Sequence, residues 1–350
     1  MSRCLSPVYK VLVFGASYGS LFATKVAAAG HDATLVCQRA TAELINREGT
    51  RVLFPVKGSA PVEIASTSLP GAVRAAMTSA VDPSEYDLAV LAMQEPQYGA
   101  TGVRELLDRT AKAGVPCLSL MNMPPPPYLQ RLPGLPADLP AGCYTDPTVW
   151  HSFDPAALSL CSPDPQALRV AGGPPNALKV TLPTNFKAAR FGSEAHTAIL
   201  RRLEADIGAV DLPVKLKVHD SLFVPLAKWA MLLAGNYRCI TPTGPRAIRD
   251  AVHGDPERAR SVYDWVRELC IGLGAAPEDL VPFEKYAAAA ASLAAPSSAA
   301  RAVFNGAGYI ERVDKLVQAI AAHRGMSHPE VDAIVALVDE RLASNRQAAA

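Results

Sequence analysis

The chain has 350 residues, a formal net charge of +1 and a hydrophobic content of 49%. That length suits two domains, each with a core of its own, and the balanced charge excludes the basic excess that a nucleic-acid binder needs. No uninterrupted apolar run approaches the ~20 residues of a membrane span, and the start, MSRCLSPVYK, lacks the apolar region and cleavage site of a signal peptide.

The seven cysteines (Cys4, Cys37, Cys117, Cys143, Cys161, Cys239, Cys270) are scattered and form no C-x-x-C pair. Such scatter reads as reduced thiols, without a disulfide frame or a zinc site, so a cytoplasmic protein is expected.

The stretch from Lys10 to Arg39 predicts a β-α-β unit: an apolar run, Val11 to Phe14, a helix from Ser20 to Ala29, and a second run, Ala33 to Cys37, after Gly30. Between the first strand and the helix lies Gly15-Ala16-Ser17-Tyr18-Gly19-Ser20. A dinucleotide pyrophosphate needs a tight turn, backbone without Cβ where the phosphates approach, and free N–H groups at a helix N-terminus. Gly15 and Gly19 can supply these, with Ser17 and Tyr18 between them. The loop is one residue shorter than G-x-G-x-x-G, and Ser17 stands near the place of the middle glycine.

At the end of the second strand, NAD sites commonly carry an acid for the ribose 2′-hydroxyl. Here the chain has Gln38 and Arg39, a pattern that favours NADP(H). The same loop also reads as G-x-S-x-G, the nucleophile elbow of α/β-hydrolases. That elbow normally follows several strands, because its oxyanion hole borrows an N–H from an earlier loop, so Ser17 is read as a phosphate-loop residue.

Further along, a helix is expected over 40–47 and short strands over 51–56 and 62–66, while 72–77 gives no clear element. Tyr86 to Met93 is nearly continuous in apolar residues, as a buried parallel strand is. Gln94 follows at its carboxyl end, where ligands of open α/β sheets bind. A helix over 103–113 leads to a strand over 116–121 that ends at Asn122. The four prolines Pro124 to Pro127 predict a stiff extended exit that pins this amide at the strand end. Edge strands over 142–150 and 178–182 are expected to extend the sheet around a proline-heavy insertion, and a helix over 197–206 to complete the first domain.

From Asp220 the apolar spacing becomes helical. Leu222, Phe223, Leu226, Trp229, Ala230 and Leu233 share a face, with Pro225 in the first turn. Lys228 lies within that apolar surface and Asn236 two turns further along it. A lysine there either snorkels to solvent or has a partner. Helices are expected over 245–252, 255–272, 282–293, 308–324 and 327–344, with Ser297 and Ser298 in a loop.

With these elements in place, the chain resembles the ketopantoate reductase family. GASYGSLFATKVAAAGHDATLVCQR is similar to the family's cofactor unit, LMNM to its nicotinamide-side asparagine, LAKWAMLLAGN to its catalytic helix, and PSSAARAVFNGAGYIERVD to its substrate-gripping segment. The resemblance implies NADPH-dependent reduction of a 2-keto acid, as in the 2-dehydropantoate 2-reductase step of pantothenate biosynthesis. Lys228 would be the general acid, Asn236 a substrate-orienting amide, Asn122 a cofactor and substrate contact, and Ser298 and Glu311 substrate contacts.

Three departures from the family pattern stand out. The glycine loop is short, Gln94 replaces a strand-end lysine, and Leu232 replaces an asparagine one turn after Lys228. Loss of a cation and an amide predicts a less acidic or bulkier carbonyl substrate.

The expected fold is therefore α/β: a Rossmann-type NADP-binding domain over 1–215, then an all-α domain over 216–350, as in 6-phosphogluconate dehydrogenase-like proteins. A homodimer is expected from the helical domain. An imine or opine reductase on the same fold, and a non-catalytic NADP(H) sensor, remain alternatives.

Overall fold

A computed structural model describes residues 7–349 apart from 57, 59, 136–140 and 171. Its first segments are β1 (Lys10–Phe14), α1 (Gly19–Ala28), β2 (Asp32–Val36), α2 (Arg39–Glu48), β3 (Arg51–Phe54), β4 (Val62–Ala65), β5 (Val73–Ala76) and β6 (Leu88–Leu91). There follow α3 (Thr101–Lys112), β7 (Cys117–Leu120), α4 (Pro126–Leu129), β8 (Leu158–Ser162), β9 (Gln166–Arg169), β10 (Ala177–Leu182), β11 (Phe186–Ala189), α5 (Glu194–Ala209) and β12 (Leu216–His219).

Eight strands make one sheet in the order β12-β11-β8-β7-β6-β1-β2-β5. Its pairings are parallel except where β11 runs against β8. The central strands are buried along their length, which is why LAVL and CLSL carry scarcely any polar residue. The chain steps outward from β1 through β2 to the edge strand β5 and then returns to β6 on the other side of β1. That reversal opens a crevice at the carboxyl ends of β1 and β6, the place where doubly wound sheets bind ligands. The Rossmann-type fold class is thus the observed one.

A second sheet, β4-β3-β10-β9, stands beside the first and is absent from the sequence-based expectation. The run Ala177–Leu182 is a strand as predicted, but it pairs with β3 and β9 and does not extend the large sheet. Residues 142–150 are not a strand: Ala141–Cys143 and Pro147–Trp150 are single 3₁₀ turns, and Trp150 is buried against Tyr98 and Phe153. The aromatic and β-branched residues there fill a core from turns. The proline run is not wholly extended either. Pro125 is extended as the N-cap, but Pro126 and Pro127 open α4, where a missing N–H breaks no helical bond. Strands β5, β8, β9, β11 and β12 lie where no strand is predicted.

The described residues form two compact units, one made of those in Met1–Met93, Gln97–Arg131 and Thr148–Asp220, the other of those in Gln94–Pro96, Leu132–Pro147 and Ser221–Ala350. The second unit holds α6 (Lys228–Met231), α7 (Ile248–His253), α8 (Pro256–Gly272), α9 (Phe283–Ala290), α10 (Ser298–Phe304), α11 (Val313–His323) and α12 (Pro329–Ala349), with a two-stranded hairpin of Ile240–Thr241 and Gly244–Pro245. Ser298 is the first residue of α10 and not a loop residue.

Among the described residues no helix is long and apolar enough to cross a membrane, and no group of three acidic, histidine or cysteine side chains is placed to hold a metal ion. Six of the cysteines lie among the described residues, all as free thiols; Cys4 lies outside them.

Candidate functional site

The glycine turn joins β1 to α1 at the mouth of the crevice. Gly15 has φ +97°, and a Cβ on it would lie 2.7 Å from Met93 Cγ and 3.1 Å from the Ala92 carbonyl oxygen, so the turns after β1 and β6 pass in contact only because this residue has no side chain. At Gly19 a Cβ would lie 2.6 Å from Val13, so α1 sits close against its own strand.

The first bonds of α1 run from Ser20 N to Ser17 O and from Leu21 N to Tyr18 O. The amides of Ser17, Tyr18 and Gly19 therefore precede the bonded ladder, at the positive end of a helix whose first turn has no acidic residue. A tight turn followed by such amides is chemically suited to an anion such as a pyrophosphate.

Two side chains of this turn reach the β8–β9 segment. Tyr18 Oη donates to Pro165 O at 2.7 Å, and its ring meets Phe186 edge-on. Burial pushes the Tyr18 phenol well above its ordinary pKa, with smaller contributions from Cys161 and Asp164, so it stays a neutral donor. Ser17 Oγ accepts from Arg169 Nε at 3.2 Å.

At the end of β2, Gln38 is the extended N-cap residue of α2 and Arg39 its first residue, both exposed. Arg39 makes no hydrogen bond or ion pair among the described residues. Asn122 is half-buried just beyond β7, and Gln94 is exposed beyond β6 in the second unit.

Lys228 and Asn236 lie on one irregular helix. A 3₁₀ turn, Val224–Ala227, leads into α6, which continues as a π-helix over Leu232–Asn236. Eight residues of regular α-helix would leave positions 228 and 236 about 80° apart around the axis; a π-turn takes up one extra residue and brings them to about 20°. The cause is a tyrosine from α9. Tyr286 Oη donates to Met231 O at 3.1 Å, entering the ladder beside Gly235. Tyr286 is itself held by stacking on Tyr263, with ring centroids 5.3 Å apart.

Both Lys228 and Asn236 are half-buried within an apolar surface of Leu226, Trp229, Ala230 and Leu233. The segments that carry the remaining predicted residues attach to the end of this helix. Ser297 is buried, donates through Oγ to Asn236 O at 2.7 Å and caps α10 by accepting from Ala300 N at 3.1 Å. Ser298, the predicted residue, is exposed. Glu311 is buried, and its carbonyl oxygen accepts from Tyr237 Oη, which in turn accepts from Val313 N at 3.0 Å.

Gly15, Ser17, Tyr18 and Gly19 thus share one turn, and Lys228, Asn236 and Glu311 gather around one helix. Arg169 and Tyr286 escaped the sequence reading, and Ser297, expected in a loop, is instead the N-cap of α10. Gly235 inside a helical pattern is the signal that could have exposed the irregularity.

No family model and no curated protein matches this chain. Solved structures do. A ketopantoate reductase from Ralstonia eutropha JMP134 superposes with a TM-score of 0.62 at 18% identity, over 96% of this chain and 99% of its own. A 2-dehydropantoate 2-reductase from Methylococcus capsulatus gives 0.67 at 12% identity, over 96% and 97%. D-mandelate dehydrogenase, in a ternary structure with NADH and anilino(oxo)acetate, gives 0.64 at 14% identity, over 96% and 99%. What these three share with the present chain is the fold, over nearly its whole length.

Proposed function

We propose that this chain is a nicotinamide-dinucleotide-dependent reductase of ketopantoate reductase type, acting on a 2-keto acid or a related carbonyl compound. The observation that carries the reading is the tight Gly15 turn between β1 and α1, where a Cβ would collide with Met93 and Ala92, with the amides ahead of α1 following it. Its support comes from the shared fold, which includes a dehydrogenase solved with NADH and an oxo acid derivative.

The amides ahead of α1 would take the pyrophosphate. Arg39, exposed at the end of β2, would take a 2′-phosphate, which favours NADPH over NADH. Asn122, at the end of β7, would hold an amide or oxygen at the nicotinamide end.

When bound, the cofactor supplies hydride to the carbonyl carbon. The ammonium of Lys228 would donate a hydrogen bond to the carbonyl oxygen and pass its proton to that oxygen as negative charge develops, then recover a proton from solvent. The π-turn supports this role by setting the Asn236 amide on the same side of the helix, where it can orient the substrate. Ser298 and Glu311 would contact the rest of the substrate.

Thermal unfolding with NADPH, with NADH and without ligand tests the cofactor, because a ligand of the folded state raises its stability. The expected result is a larger shift with NADPH, reduced to the NADH level by Arg39→Ala. Turnover is then followed as loss of NADPH absorbance with ketopantoate and bulkier 2-keto acids. Lys228→Ala should lower kcat by about 10²–10⁴-fold and leave the NADPH shift intact. If neither nucleotide shifts the transition, the reading is wrong.

A further inference from the structure

We propose that Arg169, at the end of β9, is a pyrophosphate-binding residue that the small sheet contributes to the glycine turn. The inference deepens the dinucleotide reading given above and rests on it. Arg169 is 152 residues away from Ser17 in sequence, yet its Nε donates to Ser17 Oγ at 3.2 Å. Two features fix the segment that delivers it. Tyr18 Oη holds Pro165 O at 2.7 Å, at the turn into β9, and Arg169 itself is paired with Leu178 of β10.

The guanidinium is tethered through one N–H of its five. Its Nη groups make no hydrogen bond or ion pair among the described residues, and the side chain is exposed. A fork of donors held by its Nε beside the unbonded amides of a helix start is suited to a diphosphate, which it can grip in a bidentate manner. Asp164, whose charge acts on Tyr18, is itself paired with Lys187 at 3.0 Å.

The position of Ser17 gives a reason for the arrangement. The usual fingerprint has a glycine there so that the backbone can approach the pyrophosphate. A serine keeps the phosphates further from the backbone, and its hydroxyl serves instead to anchor a cation that reaches outward to them.

The test is titration calorimetry of wild type, Arg169→Gln and Arg169→Lys with NADPH, NADH and ADP-ribose, which share the pyrophosphate and differ in the 2′-phosphate and nicotinamide. Arg169→Gln should weaken all three by a common factor of about ten- to a hundredfold, as loss of a charge-assisted contact does. Arg169→Lys should recover part of that loss by restoring charge without the fork. Thermal unfolding without ligand should be unchanged, since the residue is exposed.

Equal affinities in Arg169→Gln and wild type would overturn the inference and leave the dinucleotide reading standing. Weakening confined to NADPH would overturn it too, by moving the guanidinium to the 2′-phosphate. Failure of wild type to bind any of the three would overturn both.

Discussion

The hydroxyl of Tyr286 occupies the place that a side chain on Gly235 would need: a Cβ built there would lie 1.9 Å from Tyr286 Oη and 3.2 Å from Cζ. The pair explains the π-turn. Tyr286 takes the carbonyl of Met231, which a regular helix would give to the amide of residue 235, and the ladder slips by one residue. Gly235→Ala should therefore be costly, about 2–4 kcal/mol, because the tyrosine is buried and stacked and has nowhere to move. Tyr286→Phe alone should cost about 0.5–1.5 kcal/mol, the net worth of the hydrogen bond its hydroxyl gives to Met231 O. The double variant should lose less than the sum, since the oxygen that clashes is gone, and urea unfolding of the four proteins measures that coupling. Strict additivity would mean that the two residues do not act on each other.

Lys25 makes a pH-dependent prediction. It is buried in α1 and donates to Leu212 O at 3.2 Å and Pro213 O at 3.0 Å. Burial, with a smaller contribution from the charge of Lys215, lowers its pKa to about 7 from the ordinary 10.5. Between those values the unfolded chain holds a proton that the folded chain lacks. Stability from this group therefore rises with pH across that window and is lost as pH falls towards 7. Relative to Lys25→Met, wild type should gain up to about 1.4 kcal/mol per pH unit between pH 7.5 and 9.5. Denaturant melts at several pH values measure the difference, and a flat line would rule out the titration.

The neighbouring serines Ser297 and Ser298 should separate cleanly. Ser297→Ala removes the cap of α10 and the bond to Asn236 O, an expected loss of about 1–2 kcal/mol. Ser298→Ala, at an exposed position, should stay within about 0.5 kcal/mol of wild type. Differential scanning calorimetry on both variants tells the two apart, and equal losses would contradict the hydrogen bonding found here.

The first β-α-β unit was legible because its signals are local: an apolar run, a glycine that must adopt positive φ, and a helical period that ends at Gly30. The buried strands around Val90 and Leu118 were legible for the same reason, being apolar without interruption. The small sheet was not, because β3 and β10 are more than a hundred residues apart and only their pairing makes β9 a neighbour of Ser17. Residues 142–150 misled because Trp150 and Val149 are buried by turns, and burial alone does not distinguish a strand from a turn. At the candidate site, Lys228 and Asn236 were visible as polar residues on an apolar face. Their angular relation was not, because it depends on a tyrosine fifty residues further on.

The cover that β9 places over the glycine turn also sets an order of assembly. A chain emerging from the ribosome can form β1, α1 and β2 early, from contacts close in sequence, and expose a helix start with its amides open to water. Tyr18 and Ser17 meet their partners only after Pro165 and Arg169 have been made, 147 and 152 residues later. Loops of that span close slowly, so the turn matures late in folding, and a fragment that stops before β9 would contain β1 to β8 but lack the contacts that cap the turn.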